Sequence, residues 1–349
     1  MQATNLKTNH LSAPLGMDAG TLFLSWQCAG GVRQTAYEIE VTDGAETLWT
    51  SGKVLGSVMH TETPAAVPPK TQGQWRIRLW DENDQTGPWS TASFETGLAQ
   101  TDWQGVWVCP KTEAPDIDCT DAINAFAKPN WEQKQAALEA SSKGQAQPYP
   151  PHRPASYLRK TFTAPAGECK RLYITAKGLY AAWLNGKRIG DMVLAPGSFT
   201  ADKHLGAQTY DVTALVRDGE NELLIALGDG WYRSTSGVDG DRDLFGKEVA
   251  VLFQLEVDGR AVCVSDSSME ATQRGPIRQN DLQQGEVYDA RLEGELSGWH
   301  GVKTEPNTLP ITGMNTVPIR EQEAFAGKLL RTPNGETVLD FGQNMAGYV

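Results

Sequence analysis

Ala36-Tyr37-Glu38-Ile39-Glu40-Val41 and Trp75-Arg76-Ile77-Arg78-Leu79 alternate apolar with charged residues at every second position. A period of two puts Tyr37, Ile39 and Val41 on one face of a strand and Glu38 and Glu40 on the other, so both stretches read as half-buried β-strands. Residues 21–26 alternate in the same way, and residues 81–89 supply the Asp, Asn, Gly and Pro of a turn. Short strands at this spacing predict an all-β sandwich.

Working outward, the alternation stops between Cys109 and Pro154. Residues 130–142 read as a short helix there, and residues 144–154 hold four prolines in a polar setting. This stretch reads as a linker or insertion. Beyond it, residues 157–162, 171–176 and 181–184 read as strands, and Asn185-Gly186 before Lys187-Arg188-Ile189 is a tight-hairpin signal. Residues 221–227 continue the pattern. Val249, Val251, Phe253, Leu255 and Val257 fall on one strand face, and Asp258-Gly259 turns into residues 261–264. The organisation expected is therefore tandem β-sandwiches: 1–108 fibronectin-III- or Ig-like, 109–154 linker, 155–300 jelly-roll-like, and 301–349 the start of a third sandwich. A strand at 337–341 leaves its backbone groups unpaired unless neighbours follow, so a longer native polypeptide is expected.

At 349 residues the chain exceeds what one core usually serves, and 40% hydrophobic content with 11 Trp supplies enough apolar surface to fold it. The net charge of −12, with Lys and Arg scattered singly, excludes a nucleic-acid partner. A neutral polyol is indifferent to that charge. Cys28, Cys109, Cys119, Cys169 and Cys263 are odd in number and form no CxxC pair, so they read as reduced thiols rather than as a disulfide framework or zinc site. Neither a signal peptide nor a membrane span is read, and a cytoplasmic location is expected.

Four stretches of the first module resemble bacterial α-L-rhamnosidases: Thr8-Asn9-His10-Leu11 with Pro14-Leu15-Gly16, Arg33-Gln34-Thr35-Ala36-Tyr37, Ser51-Gly52-Lys53-Val54, and Trp89-Ser90 followed by Phe94-Glu95-Thr96-Gly97. A second block is similar to that family's N-terminal rhamnosidase domain: Ala155-Ser156-Tyr157-Leu158-Arg159-Lys160, Leu184 to Asp191, Tyr210-Asp211-Val212-Thr213, and Gly228-Asp229-Gly230-Trp231-Tyr232-Arg233. Leu339-Asp340-Phe341-Gly342-Gln343-Asn344-Met345-Ala346-Gly347 resembles the opening of the sandwich that precedes the family's (α/α)6 barrel. The resemblance implies glycoside hydrolysis with inversion, which needs a carboxylic acid for the leaving oxygen and a separate carboxylate for water. In the family those groups lie in the barrel. No residue of this chain is carried over as catalytic, and the barrel of a longer polypeptide is the implied partner, with a rhamnose-containing glycoside as ligand.

Trp231, Tyr232 and Arg233 follow a Gly-Asp-Gly loop and could stack on and hydrogen-bond a deoxysugar, although packing of Trp231 and an acid partner for Arg233 are favoured. Asn185 and Gly186 are explained by turn geometry. Asp191 is a candidate for binding a hydroxyl or calcium, against a loop cap as the plainer reading. Asp239, Asp241 and Asp243 alternate like a calcium loop, but Leu244 occupies the position of the required Gly and no Glu closes the loop, so a solvated acidic turn is the default. No other cofactor is expected. Glu286 to Asp289 is assigned to interdomain packing. Three readings compete: the non-catalytic front of a rhamnosidase, a stand-alone rhamnose-binding lectin, and a structural stack of sandwiches without a ligand.

Overall fold

The computed structural model describes residues 1–111, 153–235, 243–283, 285–345 and 347. The alternating stretches form the centre of the first sandwich. Strand Ala36–Asp43 pairs antiparallel with Gln72–Trp80, setting Tyr37 opposite Leu79, Ile39 opposite Ile77 and Val41 opposite Trp75. All six side chains are buried. On the outer face of the same pair, Glu38 meets Arg78 at 2.5 Å and Glu40 meets Arg76 at 2.6 Å. Burying each large apolar side chain is worth about 1.5–3 kcal/mol, whereas an exposed ion pair gives about 1 kcal/mol or less, so the inner face sets the register. Strands Glu46–Thr50, Val54–Leu55 and Ser90–Glu95 complete this sheet, and Gln2–Thr8, Phe23–Ala29 and His60–Glu62 form the opposing one. Leu22, Leu24, Ile39, Trp75, Ile77 and Leu79 fill the space between.

The second sandwich packs a six-stranded sheet against a seven-stranded one. Ser156–Ala164 lies beside Gly219–Gly228 in the first, and Lys170–Lys177 lies between Leu205–Asp211 and Ala250–Val257 in the second. Leu158, Leu172, Ile174, Leu223, Ile225, Val251, Phe253 and Leu255 form the core. The Asn185-Gly186 hairpin forms as read, with φ of +51° and +78° at its two central residues.

Three strands of the seven-stranded sheet come from outside the expected 155–300 span. Strand Trp107–Cys109 pairs through Val108 with Val251, and Lys303–Glu305 pairs with Trp107–Cys109 in turn. Ile311–Gly313 adds a parallel edge beside Leu205–Asp211. The sheet thus crosses both the 108/109 and the 300/301 boundaries. Hairpin Lys328–Arg331 with Thr337–Asp340 joins neither sandwich and stays exposed, including Leu329, Leu330 and Leu339. The predicted helix at 130–142 lies outside the described residues. Among the described residues the only α-helix is the single turn Gly230–Arg233, and no helix is long and apolar enough to cross a membrane.

The sandwiches are joined by charged contacts in which Arg171, Glu95 and Glu256 are largely buried. Arg171 engages both carboxylate oxygens of Glu95 at 2.9–3.1 Å, and its other side reaches Asp211 at 3.0 Å. Lys70 bonds Glu256 at 2.9 Å and the Gly259 carbonyl at 2.7 Å. Gly16 lies so close to the second sandwich that a Cβ there would sit 1.8 Å from Thr209 Oγ1.

Candidate functional site

A cleft of about 640 Å³ opens where the two sandwiches meet. That volume suits a small ligand. One wall is the turn after strand Gln2–Thr8, where Thr8 and Leu11 bridge and Asn9 and His10 take φ of +49° and +68°. Asn9 stabilises this bend by accepting from the Phe23 amide through Oδ1 at 2.8 Å, and the His10 ring rests 4.7 Å from Phe23. The opposite wall is the loop after the Asn185-Gly186 hairpin. Its Gly190 has φ of +67°, and a Cβ there would lie 2.3 Å from the Tyr210 ring, so only glycine lets Tyr210 form the floor.

Asp191 stands exposed on this wall, and Arg320 Nε donates to its Oδ2 at 2.7 Å. Arg320 is brought in by a segment that runs along the loop, with the Val193 amide donating to the Ile319 carbonyl at 3.0 Å. Beneath, the hydroxyls of Tyr180 and Tyr210 lie 3.2 Å apart, Tyr180 donates to Gln208 at 2.6 Å, and Gln208 donates to the Pro196 carbonyl at 3.2 Å. Burial drives both phenols above their ordinary range, so they remain neutral hydrogen-bonding groups. The cleft therefore offers a carboxylate, a guanidinium and a phenol above apolar Met192, Met314 and Val317, a mixture suited to a hydroxylated ring.

The structure separates the other candidates from Asp191. Trp231 and Tyr232 are half-buried and border, with Phe199 and Phe245, a crevice of about 10 Å³, the room of one water. Arg233 is buried and donates to Asp229 at 2.6 Å and to the Lys247 carbonyl at 3.0 Å. Asp239 and Asp241 lie outside the described residues. The Asp243 carboxylate is held by both Arg153 nitrogens at 2.5 and 3.0 Å. Asp289 caps the turn Ala290–Leu292 and pairs with Arg291, whose hydrogen bond lowers its carboxyl to about 2.

Sequence reasoning did not single out Arg320, Lys7 or the floor residue Tyr210 as ligand-facing. Tyr210 stands in a stretch that carries the family resemblance, but nothing local marks Arg320, which reaches Asp191 across 129 positions. A second grouping also went unread: Cys109, Glu248 and Glu305 offer ligand atoms within 4.8 Å of one another. Both carboxylates are ion-paired, Glu248 with Lys303 and Glu305 with Lys177, and burial pushes the Cys109 thiol to about 11. Two competing cations and a protonated thiol make it a poor metal site.

Residues 3–100 match the Rha78A-like N-terminal immunoglobulin domain, and residues 168–332 match the Alpha-L-rhamnosidase N-terminal domain. An α-L-rhamnosidase of Streptomyces avermitilis is 28% identical over 509 residues, covering 100% of this chain and 49% of that protein. One from Alteromonas sp. is 29% identical, covering 96% of this chain and 36% of the relative. Among solved structures, α-L-rhamnosidase from Aspergillus terreus aligns at a TM-score of 0.79 and 29% identity over 99% of this chain and 39% of that one. The Streptomyces avermitilis enzyme complexed with L-rhamnose aligns at 0.81 and 25% identity over 99% of this chain and 49% of that one. The chain spans less than half the length of the curated relatives it matches. The order of the two matched domains, together with the fold they share with these proteins, shows that the chain belongs to the α-L-rhamnosidase family and corresponds to its N-terminal portion.

Proposed function

We propose that this chain is the non-catalytic front of an enzyme that removes terminal α-L-rhamnose from glycosides, and that it serves substrate recognition and scaffolding for a catalytic (α/α)6 barrel elsewhere in the same polypeptide. The observation that carries this reading is the convergence of two family-like stretches, Thr8-Asn9-His10-Leu11 and Leu184 to Asp191, on one interdomain cleft of ligand size. Hairpin Lys328–Asp340, with its uncovered leucines, is the proposed first piece of a third sandwich. We also propose a cytoplasmic location, where the free thiols of Cys28, Cys109, Cys169 and Cys263 stay reduced; cell fractionation tests it.

Calorimetric titration of the 349-residue chain with L-rhamnose, with and without calcium, tests recognition, and p-nitrophenyl α-L-rhamnoside tests catalysis on the same preparation. Binding without turnover is expected. Turnover would overthrow the non-catalytic reading, and silence in the titration would reduce the chain to its scaffolding role, for which the Arg171–Glu95 and Lys70–Glu256 contacts already argue.

A further inference from the structure

The hydrogen bonds beneath the cleft all run in one direction, and a backbone carbonyl fixes it. The Pro196 carbonyl can only accept, so the Gln208 amide 3.2 Å away must turn its NH2 toward it and its Oε1 the other way. Tyr180 lies 2.6 Å from that Oε1 and donates its single hydroxyl proton there. Only lone pairs then remain on the Tyr180 oxygen. Across the 3.2 Å to the Tyr210 hydroxyl, the shared proton must therefore come from Tyr210. Tyr180 and Gln208 are both buried, where an unmade hydrogen bond is costly, so the order is held. The relay ends on Tyr210, the half-buried floor of the cleft, and leaves its oxygen with acceptor capacity alone. Among the described residues no side chain other than Tyr180 hydrogen-bonds that oxygen.

We propose that Tyr210 determines specificity in this cleft by polarity: its oxygen takes a hydrogen bond from a free ring hydroxyl of the ligand and rejects a carbonyl or ether oxygen at the same place. This rests on reading the cleft as a glycoside-binding site and names the sugar group that its floor selects. An acceptor set there would face lone pairs with lone pairs, and neither oxygen would recover the hydrogen bond it gave up in water. Tyr180 is a positioning residue, acting on the ligand only through the proton it obliges Tyr210 to surrender.

The test is calorimetric titration of the full 349-residue chain with methyl α-L-rhamnoside and with analogues in which each ring hydroxyl in turn is replaced by fluorine, which cannot donate. At least one analogue is expected to bind about tenfold more weakly than the parent sugar. In Tyr210→Phe the parent is expected to fall to the level of that analogue, whose own affinity stays as it was. In Tyr180→Phe the Tyr210 proton is free to turn toward the ligand, and the gap between parent and analogue is expected to narrow severalfold. A merely structural role for Tyr180 would weaken both sugars together and leave the gap open; melting temperatures check that both variants fold. Parent and every analogue binding equally well, or every gap surviving Tyr210→Phe, would overturn the inference and leave the proposed function standing. Failure of the parent sugar to bind at all would end the glycoside reading of the cleft and the inference with it.

Discussion

Single residues in this protein separate into those that hold the chain and those that face a ligand. Asn185 shows the first kind, since its role exceeds the turn geometry that explains its presence in sequence. Its Nδ2 donates to the Leu215 carbonyl at 2.9 Å and to Asn221 at 2.8 Å, while its Oδ1 accepts from the Glu222 amide. Asn185→Gly keeps the φ and removes these bonds, so chemical denaturation is expected to show a loss of about 1–3 kcal/mol. Arg233 is bound more tightly still, because its partner Asp229 is only 1% exposed. Arg233→Leu takes a close ion-pair partner from a buried carboxylate and is expected to cost about 3–5 kcal/mol, with Asp229→Asn in the same chain recovering part of it. The thiols of Cys109 and Cys263 are pushed by burial to about 11 and about 12. Raised folded values mean that the neutral thiol is favoured by the fold, a stabilisation fully present below the ordinary value of 9.0 and lost as pH rises through the folded values. Iodoacetamide at pH 8 is expected to modify both on the order of a hundredfold more slowly in the native chain than in urea, read by peptide mass mapping.

At the scale of the strand, alternation conveyed the first sandwich well and the second only in part. Ala36–Asp43 and Gln72–Trp80 lie against solvent on one face, so their charged residues show which way the core lies. Ala250–Val257 alternates at its C-terminal end in the same manner, with Gln254 and Glu256 between apolar neighbours, yet every residue of it is buried. Its polar face is covered by the connection from the first module: the Gln104 amide donates to Gln254 at 2.7 Å, and Lys70 closes on Glu256. Polar residues there are interface, which no period can tell from solvent. Trp107–Cys109 escaped notice for a related reason, being three residues long and buried on both faces, too short to show a period. Ile39→Ala is expected to cost about 2–5 kcal/mol, while Leu339→Lys in the exposed hairpin is expected to change stability by less than about 0.5 kcal/mol and to raise solubility, both read by thermal melting and sedimentation.

Across the whole molecule, the candidate site exists only because two sandwiches meet, which explains why it was half legible. Asp191 was identified from its place after a hairpin, but Lys7 comes from the other module and Arg320 from a segment beyond the expected boundary. The junction itself rests on Arg171 and Glu95, whose side chains are 15% and 9% exposed. Arg171→Ala is expected to destabilise the chain by about 3 kcal/mol and to split one calorimetric transition into two as the modules uncouple; a single unchanged transition would mean that apolar contact alone couples them. The strand order of the seven-stranded sheet also has a bearing on how the protein is made. Trp107–Cys109 emerges from the ribosome early, yet its neighbour Lys303–Glu305 follows roughly two hundred residues later. The first sandwich can therefore fold during synthesis, while the second must wait with an open edge until translation has passed Gly313, and a gene shortened before codon 303 should yield an aggregating product.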